Sequence, residues 1–122
     1  MPEFSFLLLH VADHVASASF YNDLLGIPII DQKADVSLLP LREGVMLGLW
    51  AEETVEPTSS GRSGASEIAF AVADAPAVEA LHANWAGRGI PILQAPTQMS
   101  FGTTFVALDL DEHRLRVFAP GS

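Results

Sequence analysis

Phe6–Asp13 reads FLLLHVAD and Glu67–Asp74 reads EIAFAVAD, so the chain closes two apolar runs with the same three letters. Two further echoes follow in the same order. Gly26–Ile30 is GIPII against GIPIL at Gly89–Leu93, and Leu47–Ala51 is LGLWA against LRVFA at Leu115–Ala119. The separation between copies grows slowly along the chain, as it does when loops drift while the order of elements is kept. Chance matches would not stay collinear.

Each copy opens on a short run of β-formers, residues 4–11 in the first and 67–72 in the second, which predicts a strand. A helix follows in both. Asp13 and Asp74 are suited to cap its start, and Phe20, Tyr21, Leu24 and Leu25, then Val78, Leu81 and Trp85, keep helical spacing. Gly26 and Gly87 suit a left-handed stop. Three shorter strands complete each copy, at about 28–31, 36–41 and 45–51, then 91–95, 102–109 and 114–119. The expected fold class is α+β, with two βαβββ modules in one domain over 1–122. Module one covers about 1–52 and module two about 67–122. Residues 53–66, rich in Pro, Gly and Ser without an apolar period, form the expected linker.

The totals bound what such a chain does. With 122 residues, 49% of them hydrophobic, it can build one core, in a size range where oligomerisation helps. The opening MPEFSFLLLH has no basic leader and is too short to span a bilayer, so the expected address is cytoplasmic and no membrane partner is expected. Cysteine is absent, which removes disulfides, thiolate metal sites and a Cys nucleophile. Six Lys and Arg against 15 Asp and Glu give a formal net charge of -9, so a nucleic-acid backbone is repelled while cationic or neutral ligands are tolerated. No Ser-His-Asp order or phosphate-cradling glycine loop is present, and the lone GRSG at 61–64 is too weak to be one.

A paired βαβββ unit with FYNDLLG at 20–26 and DLDEHRLRVFAP at 109–120 resembles the vicinal-oxygen-chelate superfamily over essentially its full length. Glyoxalase I, fosfomycin-modifying enzymes, extradiol dioxygenases and bleomycin-binding resistance proteins share that pattern. The resemblance implies that each copy curls a sheet into half of a cup. It also implies, for the enzymes, one metal ligand on the first and one on the last strand of each copy. Those positions fall here on Phe6 and Glu67, then on Gly48 and Arg116. Only Glu67 can bind a metal. A catalytic ion usually keeps three protein ligands, so no metal and no cofactor is expected, and Glu67 with Arg116 is expected to form a bidentate ion pair instead. The relatives that fit best are the antibiotic-binding resistance proteins that work without a metal.

Strand alternation extends the cup-facing set to Phe6, Leu8 and His10, to Gly48 and Trp50, to Glu67, Ala69 and Ala71, and to Arg116 and Phe118. Gly48, Ala69 and Ala71 are read as cleared volume, and Phe6, Trp50 and Phe118 as flat walls for a planar guest. The resemblance places a substrate-binding arginine of glyoxalases at His10, which suggests a polar contact there; a core histidine satisfied by a neighbour explains the residue equally well. Gln94–Thr103 reads as a loop in which Met99 and Phe101 either clasp the ligand or pack at a dimer seam. Trp85 reads as core, and His82 and His113 as surface. The turn before the last strand carries Glu112 where the family usually has glycine.

Two functions follow as expectations. The first is a binding protein without catalytic residues that sequesters a planar aromatic or peptide natural product, for antibiotic resistance or producer self-immunity, as a homodimer with two sites. Its ligand-binding residues would be Phe6, His10, Gly48, Trp50, Glu67, Met99, Phe101, Arg116 and Phe118. The alternative is an enzyme of the same superfamily, an isomerase, lyase or dioxygenase, with an atypical site or with Glu67 or His10 as general base.

Overall fold

The computed structural model describes residues 1–121, in the order βαβββ written twice. Met1–Gly61 is one compact unit and the chain from Arg62 onward is the other. In the first, β1 (Phe6–Val11) is followed by α1 (His14–Leu25), β2 (Asp31–Gln32), β3 (Val36–Arg42) and β4 (Val45–Ala51). A short 3-10 turn at Glu52–Thr54 ends that run. In the second, β5 (Glu67–Ala71) leads to α2 (Ala75–Gly87), β6 (Ile92–Met99), β7 (Gly102–Leu108) and β8 (Arg114–Pro120). Both sheets have the same order, β1-β4-β3-β2 and β5-β8-β7-β6, so the first and last strands of a unit lie side by side and run parallel.

The helices start where aspartate satisfies free amides. Val15 and Ala16 donate to Asp13 Oδ1 at 3.1 Å, and Ala77 donates to Asp74 Oδ1 at 2.9 Å. α1 stops at Gly26, whose φ of 69° is left-handed. α2 does not stop as expected. Gly87 is its last helical residue, Arg88 keeps a negative φ while its amide still reaches Asn84 and Trp85, and the left-handed residue is Gly89 at φ 80°.

Each helix covers one face of its own sheet, and alternation decides which residues it buries. In unit one these are Leu9, Val11, Leu47 and Leu49 beneath Ala18, Tyr21 and Leu24. In unit two they are Leu115, Val117 and Phe105 beneath Val78 and Trp85, with Trp85 3% exposed and edge-on to Phe105 at 5.4 Å between ring centroids. His82 is edge-on to the same ring at 5.4 Å and half-buried, where surface exposure was expected.

Two strand assignments need correcting. The strand expected at 28–31 falls at Asp31–Gln32 instead, paired with Leu38 and Ser37, because Pro28 has no amide to give a ladder; the Ile30 amide leads into it, bonded to the Leu38 carbonyl at 2.9 Å. The stretch Gln94–Thr103, expected to be a loop, is a hairpin: β6 runs on to Met99 and pairs Thr97 with Thr104, Gln98 with Thr103 and Met99 with Gly102. β6 is an edge strand with register shifts at Ile92/Gln94 and Gln94/Thr97, and such an edge accommodates Pro96.

Candidate functional site

The face of each sheet turned away from its helix carries the singled-out side chains. In unit one, register fixes who neighbours whom: Leu8 lies beside Gly48 and His10 beside Trp50, while across the sheet Val36 faces Trp50 and Leu38 faces Gly48. Phe6, Leu8, Asp35, Val36, Leu38 and Trp50 line a depression of about 340 Å³. Phe6 and Leu8 are 49% and 46% exposed, unusual for strand residues of this size and characteristic of an apolar binding surface.

Gly48 does not contribute the cleared volume expected of it. A Cβ there would stand 2.5 Å from Leu8 Cδ2 and 3.4 Å from Leu38 Cδ2, so two leucines already fill the space that glycine leaves. The glycine lets those leucines meet across the sheet and form the floor of the depression. His10 adjoins the depression without lining it. Its Nδ1 is hydrogen-bonded to Ser59 Oγ at 2.7 Å, and its ring meets Trp50 edge-on at 6.2 Å.

Asp35, Val36 and Leu38 were not anticipated from the sequence. For the last two a signal existed, since stepping by two along the strand that pairs with LGLWA reaches both. Asp35 precedes that strand and carries no periodic signal. A second unanticipated feature sits against β3: His14 is buried, with Nδ1 2.8 Å from Ser37 Oγ and Nε2 3.0 Å from the Ala34 carbonyl. Gln32 Nε2 donates to the same Ser37 oxygen at 2.9 Å. This chain of bonds pins the segment leading to Asp35.

In unit two, Glu67 and Arg116 form a two-pronged pair. Arg116 Nε donates to Oε1 at 2.7 Å and Nη2 to Oε2 at 3.0 Å. Nη1 donates to Thr104 Oγ1 at 3.1 Å, and the guanidinium lies 5.7 Å from the Phe101 ring centre. Phe101 is in turn edge-on to Phe118 at 6.2 Å. Arg116 thus gathers Glu67, Phe101 and Phe118 into one cluster, beside the exposed Ala69 and Ala71. Met99, at the hairpin end, is exposed and accepts a long bond from Gln94 Nε2 at 3.8 Å. The Arg116 hydrogen bonds hold the Glu67 carboxyl below its usual range, against a smaller opposing effect of burial, and Glu67 raises Arg116 in return.

The turn before β8 is built around Asp109. Its Oδ1 accepts from the Asp111 and His113 amides at 2.9 and 2.8 Å, and its Oδ2 meets His113 Nδ1 at 2.9 Å. Glu112 takes the left-handed conformation, φ 67°, that glycine would adopt without strain. His113 is therefore no surface residue: 12% of its side chain is exposed, because the carboxylate draws it in. The Asp109 hydrogen bond raises its pKa above 6.5, outweighing the effect of burial. A raised folded-state value means that this contribution to stability is complete below pH 6.5 and is lost as pH climbs through the folded-state value. Thermal midpoints measured from about pH 6 to pH 8 should fall more steeply for the native chain than for His113→Gln.

A divalent metal of the kind that the resemblance implies for the enzymatic relatives does not fit these donors. Phe6, Gly48 and Arg116 offer none, and both oxygens of Glu67 are taken by Arg116. Among the described residues no three His, Cys, Asp or Glu side chains converge. Among the same residues no helix is long and apolar enough to cross a membrane.

The profile of the Glyoxalase/Bleomycin resistance protein/Dioxygenase superfamily matches residues 4–117. No curated protein matches the chain. Among solved structures, protein ATC0852 from Agrobacterium tumefaciens, determined in solution by NMR, is 41% identical with a TM-score of 0.89 and covers 100% of both chains. A glyoxalase-related enzyme from Fulvimarina pelagi is 18% identical, TM-score 0.83, over 98% of this chain and 88% of its own. Lactoylglutathione lyase from Agrobacterium tumefaciens is 15% identical, TM-score 0.77, over 96% and 92%. At those two identities the likeness is one of fold.

Proposed function

The chain belongs to the Glyoxalase/Bleomycin resistance protein/Dioxygenase superfamily, and from that premise we propose that it is a metal-independent binding protein which holds a planar aromatic small molecule on the helix-free face of Met1–Gly61. The superfamily contains both enzymes and binding proteins. The observation that carries the binding reading is the open depression between Phe6 and Trp50, whose walls are aromatic and aliphatic. Pockets of this volume lie at the small end of those that hold drug-sized ligands, about 300–1,000 Å³. The enzymatic alternative would need Glu67 or His10 as a base; a carboxylate tied to arginine by two bonds is a weaker base than a free one, and His10 adjoins the depression with its Nδ1 engaged by Ser59. The finer reading is sequestration of an aromatic or peptide natural product, giving resistance or self-protection. A homodimer goes with it, because a sheet face that exposes neighbouring apolar side chains such as Phe6 and Leu8 is suited to partial burial against a second copy.

The test uses tryptophan emission. Trp85 is shut in the core of unit two, so an aromatic ligand at the depression should quench Trp50 alone and be recovered chemically unchanged. Trp50→Ala should weaken binding by about 1–3 kcal/mol, the usual range for a stacking anchor. Unaltered affinity would place the site elsewhere, and turnover of the ligand would establish the enzymatic alternative. Light scattering on the same sample should give the mass of two chains.

A further inference from the structure

We propose that the depression selects a ligand carrying a positive charge, and that Asp35 is the residue that reads it. This inference rests on the binding function proposed above and narrows its ligand to a planar aromatic cation. Among the described residues Asp35 is the only ionisable one that lines the depression; the other walls are Phe6, Leu8, Val36, Leu38 and Trp50. Its main chain is fixed, since the Ala51 amide donates to the Asp35 carbonyl at 2.8 Å and Val36, next along, pairs with Trp50. Among the described residues no donor and no cation meets its carboxylate, although Lys33 stands two residues away and pairs with Asp31 at 3.2 Å.

Glu67 provides the contrast within the same molecule. That carboxylate also lies on a helix-free sheet face, and arginine neutralises it from 2.7 Å. The Asp35 carboxylate, beside an apolar wall and without such a partner, is free to meet a charge that a ligand brings. The aromatic walls act in the same direction, because the faces of Trp50 and Phe6 attract cations. The net charge of -9 draws cations toward the protein from a distance and disfavours anions. Floor, wall and carboxylate together describe a guest with a flat apolar body and a cationic nitrogen at its edge, such as a protonated heteroaromatic amine.

Three probes of similar shape separate the terms: 9-aminoacridine, a cation at neutral pH; acridone, which is neutral; and 9-anthracenecarboxylate, an anion. Binding to the full chain is followed by Trp50 quenching and by calorimetry. The expected order is cation, neutral, anion, with the cation favoured about tenfold over acridone, as one charge-assisted contact gives. Asp35→Asn should abolish that preference, so that 9-aminoacridine binds the variant no more tightly than acridone does; its backbone contacts are kept, so the variant folds as the parent does. A cation preference that survives in Asp35→Asn overturns the proposal and assigns the selectivity to the overall field. Acridone bound as well as 9-aminoacridine overturns it while the aromatic site stands. If none of the three binds, the aromatic site and the inference fall together.

Discussion

A single methyl group added at Gly102 is expected to lower the unfolding free energy by about 3 kcal/mol or more, which puts it among the most damaging small substitutions available to a chain of this size. Gly102 opens β7 with φ 135°, a conformation essentially reserved for glycine. A Cβ built there overlaps the Ala119 carbonyl oxygen and crowds the carbonyl carbon at 3.1 Å. Neither side can give way cheaply. Ala119 is paired with Thr103 and Gly102 with Pro120, so moving the carbonyl disrupts the ladder that joins β7 to β8. The damage should centre on the turn that presents Met99 and Phe101. Urea unfolding of Gly102→Ala, followed by far-ultraviolet circular dichroism, reads the loss, and a change under 1 kcal/mol would refute the close approach.

Asp109→Ala is expected to cost a similar amount, about 3 kcal/mol, by a different route. The aspartate is buried, 5% exposed, and its two oxygens hold two backbone amides and one imidazole. Hydrogen bonds to a charged acceptor are worth about 1.5–3 kcal/mol each, and buried amides stripped of their acceptor carry their own desolvation cost. The left-handed Glu112 then loses the frame that holds it. Asp109→Asn keeps one acceptor oxygen and should lose about half as much. The two variants compared by thermal unfolding separate the carboxylate from the shape of the turn.

The fold was legible because repetition and alternation are properties of residue order. FLLLHVAD and EIAFAVAD announce matching strands, and the aspartates that end them are the caps that start the helices. What escaped depends on neighbours distant in sequence. The stretch Gln94–Thr103 read as a loop between strands expected at 91–95 and 102–109, and its pairing as a hairpin rests on an edge position that tolerates Pro96. Gly48 looked like empty space because a sequence does not reveal that Leu8 and Leu38 will occupy it. His113 read as a surface position, and what draws it in is a carboxylate four residues earlier, Asp109. The Glu67–Arg116 pair was legible through the resemblance, which puts the two on the first and last strands of one copy.

The parallel pairing of β1 with β4 and of β5 with β8 also sets when each sheet can close during synthesis. β4 and β8 occupy interior places in their sheets although each is the last strand of its unit to be made. The opening strand must therefore wait, both edges unpaired, until the final strand leaves the ribosome and slots between it and the third strand of the unit. Such distant pairings form slowly, and an apolar strand left waiting invites pairing with another chain. The first unit completes this step by Ala51, before β5 begins at Glu67, so the two sheets can close in succession.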